Sequence, residues 1–499
     1  MKKKIIGILS CMLLIATAVP AVSSLNNRTT PKMASHSSQT DNWKNFLEVT
    51  EIIASDKAVN DEFGYSVSLF GNTALVGAPM HNGTGSAYVF TRVGHTWTQT
   101  QELQASDGAD GDLFGWSVSL HGGIALIGAP IHNGTGSAYI FTYGTTWTQT
   151  QELTALNQAI GDHFGISVFL SGTTALIGAP WHNGTGAAYV FTYDTTWTQT
   201  QELDALVPGI GEEFGMSVSL SGNKALIGAP YDNSSGEAYV FKHSAIWEQE
   251  QELYADDHAP GDLFGWSVSL DGKTALIGAW GKDSQNGSAY VFIYSSSWAL
   301  QKELTISDPR PNNFGGSVSL SGDTALISAA FNHGSTGAAY LFDRADGTWP
   351  QMQKITTKEG EYGDNFGVNL YLNAGNAIIG AAFDDEDGLV NAGSAYVFSS
   401  SPYYTTLSGG FGISMTVTNY ALENASNVAW QIHAQGGLFG LVNTNKNGTI
   451  TAIASGATST PVSTGIFLGL GPIAITASAG DEEVNATGII LLVYVIGIK

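Results

Sequence analysis

The stretch that decides the fold reads Trp97-Thr-Gln-Thr-Gln-Glu-Leu103, then Phe114-Gly-Trp-Ser-Val-Ser-Leu120, Ala125-Leu-Ile-Gly-Ala-Pro130 and Gly136-Ser-Ala-Tyr-Ile-Phe141. Each of the four runs is rich in β-branched, aromatic and aliphatic residues, and Gly, Asn and Asp separate them. Such short runs, parted by turn-forming residues, are typical of antiparallel strands. The stretch therefore predicts a four-stranded antiparallel sheet.

The Phe-Gly pair of this stretch occurs seven times along the 499-residue chain, at intervals of 50 to 52 residues. The seven pairs begin at Phe63, Phe114, Phe164, Phe214, Phe264, Phe314 and Phe366. Seven four-stranded units of about 50 residues favour a β-propeller, because a solenoid more often has shorter repeats and distinct capping units. The sequence thus predicts an all-β fold with a seven-bladed β-propeller over residues 42–398.

The order of the strands predicts how the ring is closed. A Trp-led strand follows units one to six, but after the seventh unit Phe398 leads directly into Ser399. A matching run, Phe46-Leu-Glu-Val-Thr-Glu-Ile-Ile53, lies before the first unit. We expect this N-terminal strand to complete the seventh blade.

Three motifs recur in the units: Phe-Gly, then Gly-Ala-Pro, then a run such as Gly136-Ser-Ala-Tyr-Ile-Phe141. They resemble the motifs of FG-GAP repeats, which also form the propeller at the head of integrin α chains. Gly-Ala-Pro is intact at Gly77, Gly128, Gly178 and Gly228, and is replaced by Gly278-Ala-Trp280, Ser328-Ala-Ala330 and Gly380-Ala-Ala382 in the last three units. The resemblance spans residues 46–398 and implies a seven-bladed propeller. It does not imply one function, since this architecture carries adhesion modules, lectins and parts of enzymes.

The N-terminus predicts export. Lys2-Lys-Lys4 precedes an apolar stretch from Ile5 to Val19, so residues 1–21 are predicted to be a secretory signal peptide. At about 15 residues, the stretch is shorter than the roughly 20 that span a bilayer, and no transmembrane anchor is expected in the mature chain. Residues 22–41, rich in Ser, Thr and Asn, are predicted to form a flexible leader.

Composition limits the partners and the chemistry. The formal net charge of −24 repels phosphate backbones, so no nucleic-acid partner is expected. The single cysteine, Cys11, lies in the predicted signal peptide, which excludes a disulfide or a cysteine nucleophile in the mature chain. No sequence motif of a hydrolase, a zinc protease or a phosphate-binding loop appears.

A second domain is predicted after the repeats. Residues 399–408 are expected to be a linker. Residues 409–499 contain about six short alternating runs, among them Val428-Ala-Trp-Gln-Ile-His433 and Gly448-Thr-Ile-Thr-Ala-Ile453. This pattern suggests an immunoglobulin-like β-sandwich.

Acidic loops are candidates for calcium, which prefers oxygen ligands. The first candidate set is Asp107, Asp110 and Asp112, ahead of the second Phe-Gly pair, and the second is Asp384 with Glu386. Integrin-type propellers carry Asp-x-Asp-x-Asp-Gly loops inside the first hairpin of a blade, where this chain has only sequences such as Ser221-Gly-Asn223. Asp and Gly also form ordinary turns, so both interpretations stay open.

Two further sets of loop residues are candidates for ligand contact. His81, His132 and His182 occupy equivalent loops in three successive units, where they could form a shallow row for a ligand or be solvated turn residues. Adjacent blades hold these histidines too far apart to share one metal ion. Trp280 and Asp283 lie where the repeat departs from its pattern, and a specific site is expected there.

Five sequons are candidates for N-glycosylation: Asn82, Asn133, Asn183, Asn233 and Asn286. Four of them, Asn82, Asn133, Asn183 and Asn286, are Asn-Gly pairs, which are also preferred in two-residue hairpin turns. Taken together, the sequence favours a non-enzymatic secreted or cell-surface protein that recognises a surface glycan or protein. The alternative is an extracellular hydrolase or lyase acting on polysaccharide.

Overall fold

The structure is a computed structural model in which nearly every regular element is a β-strand. It describes residues 46–93, 96–308, 312–358, 360–400, 403–408, 410–411, 413–419, 421, 425–436, 442–454, 457–465, 469–479, 482–492, 494–496 and 498. The predicted signal peptide and leader lie outside these residues. Contacts divide the chain into two units, one mainly Glu51–Arg92 with Trp97–Tyr396, the other mainly Val397–Lys499.

Seven four-stranded antiparallel sheets, numbered here as blades 1 to 7 in chain order, lie between residues 47 and 399. Their strands are Ser66–Phe70, Thr73–Ala78, Ser86–Val93 and Thr96–Leu103; Ser117–His121, Ile124–Ala129, Ser137–Tyr143 and Trp147–Leu153; Ser167–Ser171, Thr174–Ala179, Ala187–Tyr193 and Trp197–Leu203; Ser217–Ser221, Lys224–Ala229, Glu237–His243 and Trp247–Leu253; Ser267–Asp271, Thr274–Ala279, Ser288–Tyr294 and Trp298–Leu304; Val318–Ser321, Thr324–Ser328, Ala339–Asp343 and Gln351–Ile355; and Leu370–Asn373, Asn376–Ala381, Ser394–Ser399 and Leu47–Ile52. The predicted all-β class and the seven four-stranded units of a β-propeller are confirmed.

Short helical turns join the second strand of each blade to the third. They are His81–Gly83, His132–Gly134, His182–Gly184, Asp232–Ser234, Lys282–Gln285, Asn332–Ser335 and Glu386–Gly388. Because these connections are longer than two residues, the interpretation of the Asn-Gly pairs as two-residue hairpin turns is wrong. Among the described residues, no helix could cross a bilayer.

Blade 7 takes its fourth strand from the N-terminus. Leu47–Ile52 lies beside Ser394–Ser399, at the edge of the sheet. Hydrogen bonds also join the seventh blade to the first: the amide of Phe63 donates to the carbonyl of Ala392 at 3.1 Å, and the amide of Val67 donates to Oδ1 of Asn369 at 3.0 Å. The first and last repeats are thus in direct contact.

Small residues allow neighbouring blades to approach closely. The hydroxyl of Ser117 donates to the carbonyl of Gly165 in the next blade at 2.8 Å, and Ser66, Ser167, Ser217 and Ser267 make the same bond to Gly115, Gly215, Gly265 and Gly315. Each of these serine hydroxyls is buried, and the hydrogen bond across the blade interface gives both the hydroxyl and the glycine carbonyl a partner.

The Phe-Gly pair lies at the centre of these contacts. Phe114 is 1% exposed and packs edge-on against Tyr139 and Phe141, with ring centroids 5.5 and 6.0 Å away. Gly115 has φ +92°, and a Cβ there would lie 2.3 Å from the carbonyl oxygen of Ser86 in the preceding blade. A side chain at this glycine would prevent the close approach of the two blades.

The tryptophans that begin the fourth strands are buried in the cores between blades, so they pack rather than form a platform. Trp147 is 6% exposed and Trp298 is 3% exposed. A glutamine of one blade also holds the next: the side chain of Gln201 donates to the carbonyl of Trp247 at 2.6 Å and accepts from its amide at 2.8 Å. Gln101, Gln151 and Gln251 make the same pair of bonds to Trp147, Trp197 and Trp298.

The C-terminal unit contains two antiparallel sheets. Tyr403–Ser408, Ser414–Asn419 and Val462–Ser463 form one; Gly410–Phe411, Tyr494–Ile496, Glu482–Leu492, Gly469–Ala479, Ala425–Gly436 and Val442–Ile453 form the other, in that order. One apolar core includes Met415, Ile432 and Ile475. The predicted linker over 399–408 is wrong, since Tyr403–Ser408 is a strand paired with Ser414–Asn419. The immunoglobulin-like topology stays a prediction.

Candidate functional site

Each blade carries a group of five side chains, called here the blade site, at the end where its second strand leads into the third. In blade 1 these are Asp56 and Asp61 of the loop before Phe63, His81, Tyr88 and Glu102. His81 begins a helical turn, Tyr88 lies in the third strand and Glu102 lies in the fourth. The repeat therefore places an equivalent set in every blade.

The histidines of blades 1 to 3 are fixed in place by the aspartate that comes before each Phe-Gly pair. Nδ1 of His81 lies 2.9 Å from Oδ2 of Asp61, and the same contact in blade 2, between His132 and Asp112, is 2.7 Å. The same carboxylate of Asp61 accepts the amide of Ala58 at 2.6 Å, which shapes the loop. His81 is 2% exposed, so the interpretation of these histidines as solvated turn residues is wrong.

The other ring nitrogen faces two carboxylates in blades 1 and 2. Nε2 of His81 lies 3.7 Å from Oδ2 of Asp56 and 3.7 Å from Oε1 of Glu102. Nε2 of His132 lies 3.7 Å from Asp107 and 3.8 Å from Glu152. In both blades the three ligand atoms lie within 4.8 Å of one another.

The tyrosine hydroxyls distinguish these two blades from the rest. Tyr88 and Tyr139 are fully buried, and their hydroxyls make no hydrogen bond of standard geometry, although the carboxylates of Asp56 and Asp107 lie near them. In blade 3 the hydroxyl of Tyr189 donates to Oδ1 of Asn157 at 3.1 Å, and in blade 5 that of Tyr290 donates to Asp257 at 3.2 Å. Only blades 1 and 2 leave this buried hydroxyl unpaired, as far as the described residues show.

Blade 4 replaces the histidine with Asp232, so its site is a cluster of carboxyl groups. Burial is the main cause that raises the pKa of Glu212 and that of Glu237 to about 7. The hydroxyl of Tyr239 donates to Asp232, and the amide of Asn233 donates to Glu237 at 2.5 Å. Neighbouring carboxyl groups of this kind share protons near neutral pH.

Blades 5 and 6 place a lysine ammonium in the site. Lys282 takes the position of the histidine in blade 5, and its Nζ donates to Oδ2 of Asp257 at 2.6 Å. In blade 6 the ammonium comes from Lys354, at the position of the fourth-strand glutamate, and it donates to Asp308 and to Oδ1 of Asn332. The pKa of Asp308 is lowered to about 2; burial acts against this shift, and hydrogen bonds from Lys354, Tyr340 and Asn332 cause it.

The second candidate calcium set converges in blade 7. Carboxylate oxygens of Asp384, Glu386 and Glu51 of the N-terminal strand lie within 4.8 Å of one another. The ammonium of Lys57 is already 3.2 Å from Oε1 of Glu386. Calcium at this set stays a prediction.

The first candidate calcium set does not surround one point. Asp107 faces Nε2 of His132, and Asp112 faces Nδ1 on the opposite edge of the same ring. Asp110 is exposed, with Oδ1 beside Gly83 of blade 1. These three aspartates therefore do not form one calcium site, because the loop turns each carboxylate toward a different neighbour.

An apolar group, called here the central cluster, gathers residues from most blades at the same end of the propeller. Its buried members include Tyr65, Trp116 and Trp266, each of which directly follows a Phe-Gly pair. Its partly exposed members are Met80, Ile131, Trp181, Trp280 and Phe383. In blade 6 the residue after Phe-Gly is Gly316, and a cavity of about 30 Å³ lies beside it, lined by Trp266, Trp280 and Phe331.

The structure separates the two ligand candidates of blade 5. Trp280 packs edge-on against Trp266 with ring centroids 5.4 Å apart, within the central cluster. Asp283 is an exposed residue of the helical turn, with φ 53°, next to the buried Lys282 of the blade site. Trp280 thus belongs to an apolar surface, whereas Asp283 does not line it.

The sequons differ in exposure. Asn82, Asn133, Asn183 and Asn233 are exposed, with φ between 47° and 52°, a left-handed conformation that Asn tolerates. Asn286 is 7% exposed and its Oδ1 accepts a hydrogen bond from Asn312 at 3.0 Å. The candidate glycan at Asn286 is therefore inconsistent with the folded chain, whereas the other four positions stay predictions.

Sequence reasoning missed the tyrosines and the fourth-strand glutamates of the blade sites. Tyr88 lies in a motif whose pattern predicts core packing, and Glu102 lies in a run of Thr and Gln whose pattern predicts an exposed strand. A signal was present, since a carboxylate or lysine recurs at the position of Glu102 in every repeat. The register between third and fourth strands, which pairs Tyr139 with Glu152, was needed to bring the two together.

The seven blades, each with one polar site, form a repeat-built β-propeller scaffold. The FG-GAP repeat model matches residues 46–90, 97–141, 147–191, 197–241, 247–292, 298–342 and 349–398. The chain belongs to the FG-GAP repeat family. Its repeats indicate a propeller for protein or ligand recognition.

Other comparisons add no close relative. No curated protein matches the chain. A chain of a mitotic checkpoint complex is similar at 13% identity and a TM-score of 0.44, covering 75% of this chain and 99% of that one. A Bacteroides uniformis protein with the provisional name 6-phosphogluconolactonase is similar at 14% identity and a TM-score of 0.45, covering 61% and 88%.

Proposed function

We propose that this chain is a non-enzymatic secreted or cell-surface protein whose propeller binds a surface glycan or protein at the central cluster. The observation that supports this role is a surface of partly exposed apolar side chains contributed by several blades, including Trp181, Trp280 and Phe383. Aromatic faces at the mouth of a propeller suit the apolar faces of sugar rings or the anchor residues of a protein partner.

Charge and location are consistent with this role. The net charge of −24 favours neutral or basic partners over phosphate-rich ones. FG-GAP repeats are typical of extracellular proteins, and four of the five sequons are exposed. The C-terminal unit would serve as a spacer or docking module.

Binding to a glycan array and to candidate surface proteins tests the proposal. The double variant Trp181→Ala, Trp280→Ala should lose at least tenfold in affinity, because two aromatic contact surfaces are removed. Tyr143→Ala is the matched control, since Tyr143 is 57% exposed at the opposite end of its strand. Equal binding by the double variant and the control would contradict the role of the central cluster.

Blade 4 favours a second candidate, a hydrolase or lyase that acts on polysaccharide. Glu212 and Glu237, whose pKa values are raised to about 7, could hold a proton for general acid catalysis. Release of reducing sugar from a polysaccharide by the wild-type chain, lost in Glu237→Gln, would support the enzyme. Absence of turnover across a broad substrate panel would leave recognition as the better description.

A further inference from the structure

We propose that the blade sites of blades 1 and 2 each bind one divalent transition-metal ion of the Zn²⁺ class. The ligands in blade 1 are Nε2 of His81 and carboxylate oxygens of Asp56 and Glu102, and those in blade 2 are the equivalent atoms of His132, Asp107 and Glu152. This role is separate from recognition at the central cluster. Nothing in the sequence motifs of the repeat assigns it.

The distances between ligand atoms suit one ion per site. In a tetrahedral zinc site with bonds of about 2.0–2.1 Å, ligand atoms lie roughly 3.3–3.4 Å apart. Nε2 of His81 is 3.7 Å from both Asp56 and Glu102. A shift of a few tenths of an ångström in the partly exposed carboxylates would complete the geometry.

The aspartate on the far side of the imidazole completes the arrangement expected around a metal-bound histidine. Metal-binding histidines usually donate their other ring N–H to a carboxylate, which fixes the tautomer and the ring orientation. Oδ2 of Asp61 lies 2.9 Å from Nδ1 of His81, and Asp61 is 3% exposed. With Nδ1–H donated to Asp61, Nε2 keeps a free lone pair for a ligand, and it lies 3.7 Å from both Asp56 and Glu102.

A buried hydroxyl provides an independent indication that a ligand belongs in these sites. Buried polar groups without a partner are rare in folded proteins. Tyr88 and Tyr139 are fully buried, their hydroxyls make no hydrogen bond of standard geometry, and both lie in the blades that have the complete His, Asp and Glu set. Equivalent tyrosines in other blades bond the residues at the Asp56 and Glu102 positions, as Tyr290 does with Asp257 and Glu303. The unpaired hydroxyls therefore face the same space as the three ligand atoms.

In blades 3 to 6, a lysine or a neutral side chain replaces at least one acidic or histidine residue of the blade site. Lys282 and Lys354 bring an ammonium into the sites of blades 5 and 6, and in blade 6 the neutral Asn312 and Asn332 replace the aspartate and histidine. Blade 3 replaces one carboxylate with Asn157, and blade 4 replaces it with Val207. Blades 1 and 2 alone combine three carboxylates with a histidine and no lysine at these five positions. A bound cation supplies the missing charge there.

The donor set selects the class of metal. Imidazole and carboxylate together suit Zn²⁺ and its neighbours in the first transition row, whereas Ca²⁺ takes six to eight oxygen ligands. The amide nitrogen of Asn82 lies 2.7 Å from Nε2 of His81, and the side chain of Asn82 is exposed. It can therefore turn toward solvent, or present its amide oxygen as a further ligand.

Metal analysis of the purified full chain tests the proposal. After dialysis against a chelator and then titration with Zn²⁺ alone, the wild type should retain two ions per chain after gel filtration. His81→Lys and His132→Lys copy the lysine of blade 5, so they should fold, and each should reduce the count from two to one. The double variant should retain none.

His182→Lys is the matched control, because blade 3 has the same histidine but carries Asn157 in place of the aspartate. It should keep two ions. Circular dichroism and the melting temperature establish that each variant is folded. A folded wild type with no bound Zn²⁺, a folded double variant that keeps two ions, or displacement of Zn²⁺ by equimolar Ca²⁺ would each overturn the proposal.

Discussion

At the scale of single residues, the glycine of each Phe-Gly pair meets two separate constraints. Gly165 has φ +94°, and its Cβ would lie 2.4 Å from the carbonyl oxygen of Ser137 in the neighbouring blade. Gly172, in the turn between the first and second strands of blade 3, has φ +59°. A Cβ added at Gly172 would meet nothing within 4 Å. The first glycine is required by conformation and by space, the second by conformation alone.

We predict that Gly165→Ala lowers the free energy of unfolding by about 3 kcal/mol or more, because backbone atoms cannot yield to the new methyl group. Gly172→Ala should cost only about 1–2 kcal/mol, the cost of a left-handed alanine. Urea denaturation of both variants measures the difference. Equal losses would show that the blades can move apart to accept a side chain.

A second residue-scale prediction concerns pH. Glu62 is 5% exposed, and burial raises its pKa to about 7 from the ordinary value of 4.5. Between these values the folded chain holds more protons than the unfolded chain, so stability falls as pH rises through this window. Burial raises the pKa of Glu213 to about 7 as well, which adds to the same trend.

The stability advantage of Glu62→Gln over the wild type should therefore increase between about pH 4.5 and pH 7, because the amide carries no charge to bury. Melting temperatures of both chains across this range give the measurement. Glu248→Gln is the control, since Glu248 is exposed on a fourth strand. A Glu62 variant whose advantage is independent of pH would contradict a buried, protonated Glu62.

At the scale of elements, fourth strands hold their neighbours through glutamine side chains. Gln201 bonds both the amide and the carbonyl of Trp247, the first residue of the next fourth strand. Gln201→Ala leaves both backbone groups without this partner, so we predict a loss of about 1–3 kcal/mol. Thr198→Ala, an exposed change on the same strand, should stay within about 0.5 kcal/mol. Calorimetric unfolding of the two variants distinguishes them, and a neutral Gln201→Ala would indicate that water replaces the glutamine.

The elements also show what the sequence could predict. Strand positions and the repeat number followed from the spacing of Phe-Gly, Gly-Ala-Pro and the Trp-led run, because each motif serves local packing. Tyr403–Ser408 was missed because Ser399 to Ser408 contains small polar residues typical of linkers, although Tyr404 and Thr405 favour a strand.

The blade sites were harder to predict because their members lie far apart in sequence. His81 and Asp61 are 20 residues apart, and Glu102 follows another 21 residues later. Only the loop geometry before Phe63 and the pairing of third and fourth strands bring them together. Histidine spacing revealed the candidate but not its burial, since an Asn-Gly neighbour usually indicates an exposed turn.

At the scale of the whole molecule, the N-terminal strand should control the stability of the propeller. Leu47–Ile52 supplies the outer strand of blade 7, and its Val49 and Ile52 are buried at 6% and 4% exposure. Without this strand, blade 7 would have an open sheet edge and would lose part of its core. Its contacts with blade 1 through Phe63 and Val67 would weaken next. Closure of the ring by this strand stays a prediction.

Deletion of residues 42–54 tests that closure. We expect a lower melting temperature and a broader or divided unfolding transition, because blades that no longer form a closed ring can unfold separately. Deletion of residues 22–41, in the predicted leader, is the control and should leave the transition unchanged. Addition of a peptide with the sequence of residues 42–54 should restore part of the loss if the strand acts by pairing with Ser394–Ser399. An unchanged melting temperature after the first deletion would mean that contacts between blades 1 and 7 close the ring without this strand.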